Sequence, residues 1–471
     1  MENDELTSKI VSLFRESNEK FIKNDLIPFL RIPSNSYNQE GILKAKDFII
    51  SYIRDFSNEI KEVKGLINPL ILAKVEGELD GILLIYMMYD TQPINKDEIW
   101  YSEPFGAEIK VQSPPLDTLG NCIIARGAYN SKTPLMCFLN AIKILKENDD
   151  LPISLLLVFD GEEEIGSSTL LETLDNNTNI FKNCNDAYYP SAKQNLAGNS
   201  VLKLGYKGIL SLTIKTSTKN KEPHSSFSAM IPNPAVDLIS LLNTLYSNNE
   251  FQIASLRNPY IPSKEEDAII DELMKKIDIQ NIMNKAGITH LNRTNSKEAF
   301  INYLFKSTFN ISTLKSGFLE KGTKNYVPSH ALCNIDIRFA HDITIDEIFN
   351  EIKEKVDDYA KKSKSHIELV KNIGYEGSRV SKKSILTKSL IKSVEILGYH
   401  TAEIWPLSPA AAPLSKIQKK LGINFISGGL GIGGFAHSAN EFIQLDSIIN
   451  ARIANYYFLK IYAELVKKSR F

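Results

Sequence analysis

No histidine precedes His224 in this 471-residue chain. Any metal or proton-transfer centre in the first half must therefore be built largely from other side chains. Cysteine is scarce as well. Cys122, Cys137, Cys184 and Cys333 form no CxxC pair and no regular spacing, which speaks for free buried thiols in a reducing compartment. No apolar run approaches the roughly 18 residues of a membrane helix. The opening stretch "MENDELTSKI" is acidic and polar, unlike a secretory signal, so the cytoplasm is the expected compartment. The net charge is −1 with both signs scattered, which argues against a nucleic-acid footprint or an anionic-membrane binder. Internal repeats and low-complexity tracts are missing too. What remains is an ordinary globular composition, 43% apolar and 24% charged, long enough for two domains or one with an insertion.

Residues 1–60 carry apolar side chains three and four apart, the period of amphipathic helices. "PLILAKV" and "GILLIYMMYD" then read as short buried strands, "SKTPLMCFLNAIKILKEN" as a helix, and "PISLLLVFDGEEEIGSS" as a strand running into an acidic loop. Strands alternating with helices predict an α/β sheet, whose ligand sites gather at the carboxyl ends of strands. Asp90 and the acids of 160–164 both fall at such ends. From residue 206 the texture changes. "KGILSLTIKTSTK", "NPAVDLISLLNTLYS", "FNISTLKSGF", "ALCNIDIRFA", "IDEIFNEIKEKVDDYAKKSK" and "HIELVKNI" predict a βαββαβ unit around a polar segment near 255–300. The α/β texture returns near 380. The predicted organisation is a larger domain over 1–205 and 379–471, interrupted by an α+β domain over 206–378.

The segment "VFDGEEEIGSS" at 158–168 places consecutive acids after a strand apolar enough to be buried. Taken alone, such a run is a solvated loop face or a pair of carboxylates that divide labour, one binding a cation and the other acting as a base. Together with "YMMYDTQPINKDEIWYSEPFGAEI", "LGNCIIARGAYNSKTPL", "KEPHSSFSAMIPNPAVDLISLL", "ALCNIDIRF" and "GGLGIGGFAHSANEFI", it resembles the co-catalytic di-zinc peptidases of family M20, the carnosinase and dipeptidase type. The motifs follow the family order over nearly the whole chain. The resemblance implies a zinc-exopeptidase-like α/β domain with a mixed central sheet flanked by helices, interrupted by a smaller α+β lid that dimerises.

Carried over residue by residue, the resemblance makes Glu163 the base and Glu164 a metal ligand. Asp90 matches the acid that orients the first metal-binding His, and His437 matches the closing ligand. His224 matches a lid His that polarises the scissile carbonyl across a dimer, and Arg338 an Arg that grips the substrate carboxylate. Three family ligands are missing. Met88 stands at the first His, Asn130 at the bridging Asp and Ala192 at the third acid. A zinc pair carries four positive charges, and zinc sites keep at least three His, Cys or carboxylate ligands. A neutral amide is a poor zinc donor and a thioether favours soft copper(I). No di-zinc cofactor is expected; a single weakly held zinc at Glu164 and His437 is the remaining arrangement. Without its His partner, Asp90 is expected to hold Lys132. Lys132, Asn130 and Arg338 are the candidate substrate contacts. Ala410, Ala411 and Ala412 align with a family turn that presents backbone amides, and their methyls would narrow the approach.

Three readings stay open. One is an enzyme that makes or breaks an amide bond of a small amino-acid-derived substrate without the zinc pair, with Glu163 as base or acid and His224 as oxyanion partner. Another is an inactive relative that binds a carboxylate ligand or a partner subunit. The third is an ordinary metal-dependent dipeptidase. Burying Glu163 beside Glu164 is costly and binding alone does not need it, which favours the enzyme. The expected partners are a peptide-like small molecule and a second copy of the chain through the lid; nucleic acid and membrane are not expected.

Overall fold

The computed structural model describes residues 5–292, 295–399, 401–411 and 414–470. They form two compact units: Met1–Leu204 with Val380–Trp405 and Lys416–Phe471, and Gly205–Arg379 with Pro406–Ser415.

The apolar runs of the first unit become the centre of a six-stranded mixed sheet. Its spatial order is Glu59–Val63, Leu70–Val75, Ile153–Asp160, Leu79–Met88, Cys184–Pro190 and Asn424–Gly428. The last four strands run parallel, with Met88 opposite Asp160 and Gly428 opposite Pro190. Parallel strands are covered on both faces, which is why "LLIYMM" and "LLLVFD" are apolar without alternation. The edge strand Glu59–Val63 is charged and largely exposed, as an unpaired edge requires. Because the central strands are parallel, their carboxyl ends emerge on one side and deliver Asp90, Asp160 and the acid loop together.

Helices Lys132–Glu147, Ile385–Glu395 and Ser447–Ser469 pack beside one another against this sheet. Arg452 ties the last helix to the N-terminal one and is wholly buried. Its guanidinium donates to Asn140 Oδ1 (2.6 and 2.9 Å), the Phe14 carbonyl (2.9 Å), Asn18 Oδ1 (2.9 Å) and Ser17 Oγ (2.8 Å). It lies 4.6 Å from the Phe21 ring centroid. Among the described residues no helix is long and apolar enough to cross a membrane.

The second unit is a four-stranded antiparallel sheet in the order Thr308–Ser316, His330–Phe339, Gly208–Ser217, His366–Tyr375. Alternate residues of Gly208–Ser217 are buried against helices Pro234–Leu245 and Ile345–Ala360, the period-2 pattern of a half-covered sheet. Two findings differ from the sequence expectation. The polar segment near 255–300 folds into helices, among them Lys264–Met274, which opens with a reciprocal Ser263/Glu266 capping box. Residues 406–415, placed by sequence in the closing part of the larger domain, belong to the second unit. The Lys207 N–H donates to the Ser408 and Ala410 carbonyls and the Ser408 N–H to Gly205, and these bonds draw the segment in.

Removing Arg452 would orphan buried acceptors and open a cavity. Arg452→Ala is expected to destabilise the first unit by about 4 kcal/mol, read as a lowered urea midpoint with the wild-type slope.

Candidate active site

Five acids stand where the parallel strands end, and backbone N–H groups hold most of them. Asp90 is fully buried. Its carboxylate accepts from Ser36 Oγ (2.8 Å), Glu163 N (3.2 Å) and Glu164 N (3.1 Å). Asp160 accepts from Tyr86 Oη (3.0 Å) and Glu162 N (2.9 Å), and burial pushes it up to about 6. Glu162 turns inward and accepts four bonds: Ile67 N (2.9 Å), Asn68 N (2.8 Å), Thr169 N (2.8 Å) and Thr169 Oγ1 (2.6 Å). It anchors the loop, and Glu163 and Glu164 are what the loop presents.

Glu163 makes no side-chain hydrogen bond among the described residues. Burial raises its carboxyl well above the usual range, and the neighbouring charges of Glu164, Asp90 and Asp160 raise it further. Burial and neighbouring like charge thus both favour the protonated form of Glu163.

Glu164 is engaged on both oxygens. Gln92 Nε2 donates to Oε2 at 2.8 Å and Asn130 Nδ2 to Oε1 at 3.1 Å. His437 Nε2 lies 3.1 Å from the same Oε1 and 3.0 Å from Asn130 Nδ2. Three polar atoms thus form a triangle with sides near 3 Å. When His437 is protonated its Nε2–H donates to Glu164; when neutral, the bare nitrogen accepts from Asn130. The Glu164 hydrogen bond raises the His437 pKa above its ordinary value.

Glu441 fixes the turn that presents Asn130. It is fully buried and accepts from Arg126 Nη1 (3.2 Å) and from the backbone N–H groups of Gly127 (3.0 Å), Tyr129 (3.0 Å) and Asn130 (2.7 Å). Arg126 also meets Glu98 at 3.0 Å. Glu162, Glu441 and Gln92 lie inside segments singled out by sequence, yet no role had been given to them. Asp160 likewise carried none.

The donor set can be compared with what a zinc pair needs. Met88 is buried at its strand end and offers a thioether. Asn130 offers a neutral amide already spent on Glu164 and His437. Ala192 is buried beside Gly431, where an added Cβ would stand 2.8 Å from that of Ala192. Among the described residues no three of His, Cys, Asp and Glu are grouped to hold a metal ion.

Lys132 is a correction. It is fully buried and donates to the carbonyls of Ile32 (2.6 Å) and Phe29 (3.2 Å) rather than to Asp90. Asp90 is already satisfied by Ser36 and the acid loop. His224 and Arg338 lie in the second unit. The exposed His224 ring accepts from Ser226 N at 3.2 Å. Arg338 is half-buried, 3.5 Å from the Pro409 carbonyl. Close to it Lys207 is buried and donates to the Tyr303 and Lys306 carbonyls. Burial, with Arg338 and Arg379 adding to it, holds Lys207 down to about 7. Ala410 N donates to Ser408 Oγ at 3.3 Å; Ala412 lies outside the described residues.

A mixed sheet with an acid site at its parallel strand ends, interrupted by an α+β unit, is a peptidase-type architecture. The chain belongs to peptidase family M20/M25/M40, whose model matches residues 84–460. It is 24% identical over 401 residues to the Cys-Gly metallodipeptidase DUG1 of Candida albicans, covering 81% of this chain and 79% of that one. It is 22% identical over 312 residues to the human β-Ala-His dipeptidase, covering 64% of this chain but only 59% of that relative. Among solved structures, the metallo-carboxypeptidase Sso-CP2 of Sulfolobus solfataricus superposes with a TM-score of 0.82 at 27% identity, over 93% of this chain and 98% of that one. Human carnosine dipeptidase 1 gives 0.75 at 17% identity, over 98% and 99%.

Burial pulls the Lys132 ammonium down to about 7. Between that pH and roughly 10 the unfolded chain holds a proton that the folded chain has released, so the contribution of Lys132 to stability rises with pH. Relative to Lys132→Met, the wild type should gain up to about 1 kcal/mol per pH unit across this window, measured by urea unfolding at stepped pH.

Proposed function

We propose that this chain acts on the amide or peptide bond of a small amino-acid-derived substrate, by hydrolysis or acyl transfer, without a di-zinc pair. The observation that carries this reading is the Glu164–Asn130–His437 triangle, in which side chains bond directly to one another where the family resemblance places ions. One ionised glutamate and one imidazole, with Met88, Asn130 and Ala192 at the other three ligand positions, do not balance two dications.

In this reading Glu163 moves the proton. Its carboxyl is free of hydrogen bonds among the described residues and burial raises it well above the usual range; in its ionised form it takes a proton from the attacking water or amine, and the acid so formed gives that proton to the leaving nitrogen. When His437 is protonated and donates to Glu164, Asn130 keeps one amide hydrogen for a substrate oxygen. Glu164 and Gln92 fix the amide and the imidazole. His224 as oxyanion partner and Arg338 as carboxylate grip are assigned on the resemblance. A homodimer through the second unit and a cytoplasmic location belong to the same proposal.

A second reading, a metal-dependent dipeptidase, is favoured by the relatives. One is a Cys-Gly metallodipeptidase, and a Bacillus subtilis neighbour with a TM-score of 0.57 is described as a dinuclear metal-binding peptidase. The two readings separate in one assay. Protein dialysed against chelator is screened on dipeptides and N-acyl amino acids, with and without added zinc. Turnover should persist in chelator and fall by about 100-fold or more in Glu163→Gln. Turnover that requires zinc would establish the metallodipeptidase instead.

A further inference from the structure

Serine is a preferred helix cap, and Ser131 stands directly before the helix Lys132–Glu147. Such a hydroxyl ordinarily accepts from a backbone N–H of the first turn. Pro134 leaves the Thr133 N–H as the donor for a cap, yet the Ser131 side chain makes no capping bond. Its hydroxyl is engaged elsewhere. Ser131 Oγ lies 3.0 Å from Asn130 Oδ1 and 2.6 Å from Tyr189 Oη, and Ser131 and Tyr189 are both buried. A hydroxyl withheld from its own helix and committed to the Asn130 amide breaks a local rule of helix design, as functional sites do.

Hydrogen counting fixes the direction of these bonds. A carboxylate has no hydrogen to give, so the amide atom 3.1 Å from Glu164 is the nitrogen. The amide oxygen then faces Ser131 and can only accept. Ser131 has one hydrogen and gives it to Asn130, so Tyr189 must donate to Ser131. The Tyr189 ring is itself held. It meets Tyr86 edge-on, with centroids 5.2 Å apart and planes at 86°, and the Tyr86 hydroxyl donates to Asp160 at 3.0 Å. Both tyrosines sit on strands of the central sheet, Leu79–Met88 and Cys184–Pro190. Turning the amide over would set its oxygen against the Glu164 carboxylate and reverse both hydroxyls.

We propose that Ser131 and Tyr189 are positioning residues, which together hold the Asn130 amide with its nitrogen toward Glu164 and His437 so that an N–H meets the substrate oxygen in one fixed orientation. This rests on the amide-bond reading above and adds to it the two hydroxyls that preorganise its donor.

The test joins two readouts on the full chain. One is turnover in chelator on dipeptides and N-acyl amino acids. The other is the pair of Asn130 side-chain amide resonances in protein carrying isotope-labelled asparagine, identified by their loss in Asn130→Ala. Ser131→Ala and Tyr189→Phe should each move those resonances and lower kcat by about tenfold, with KM within about twofold of wild type. Ser131→Thr, which keeps the hydroxyl, should retain the wild-type resonances and kcat. Resonances unmoved in both Ser131→Ala and Tyr189→Phe, or kcat unchanged where they move, overturn the positioning role. A wild type that turns over none of these substrates overturns the amide-bond reading and the substrate role with it, and the resonances still decide whether the two hydroxyls fix the amide.

Discussion

Carboxylates converge at the carboxyl ends of the parallel strands, and hydrogen-bond donors of the protein hold them there. Asp90 takes the N–H groups of Glu163 and Glu164, and Asp160 that of Glu162. Glu162 takes three backbone donors and a hydroxyl, and Glu441 takes three backbone donors and Arg126. Each such bond is stronger than a neutral one, and together they fix the two loops that face each other at Glu164 and Asn130. Burial pushes Asp160 and Glu163 upward, so protonating either one costs less here than in water. The site is thus a preorganised acid cluster whose remaining freedom lies in a few protons.

That arrangement separates two jobs that adjacent glutamates would otherwise share. Glu162 is structural, Glu164 orients Asn130 and His437, and Glu163 alone is left unbonded among the described residues. The turn pinned by Glu441 presents Asn130 to Glu164 and His437.

Much of this was legible in the sequence because burial leaves a direct mark. Strands covered on both faces must be continuously apolar, so Leu79–Met88 and Ile153–Asp160 were visible, and with them the location of the acids. The alternation of Gly208–Ser217 marked a half-covered sheet in the second unit. Other features left weaker marks. The helices within 255–300 are largely exposed, and their signals were N-caps alone: Ser263 with Glu266, Asp278, and Asn295 with Glu298. Three consecutive glutamates gave no sign of which one turns inward, because the path of the loop decides that. The partners of Lys132 are backbone carbonyls, which carry no residue identity, so an acid nearby in the motif seemed the natural mate. Residues 406–415 are held in the second unit by backbone bonds of the same anonymous kind.

The central claim is that hydrogen bonds among Glu164, Asn130 and His437 take the place of a pair of ions. Anomalous diffraction at the zinc edge, on crystals grown without chelator and soaked in zinc, tests it most directly. The account predicts intact contacts near 3 Å in this triangle and no pair of peaks. Two strong peaks a few ångströms apart beside Glu164, with the three side chains drawn away from one another, would contradict it.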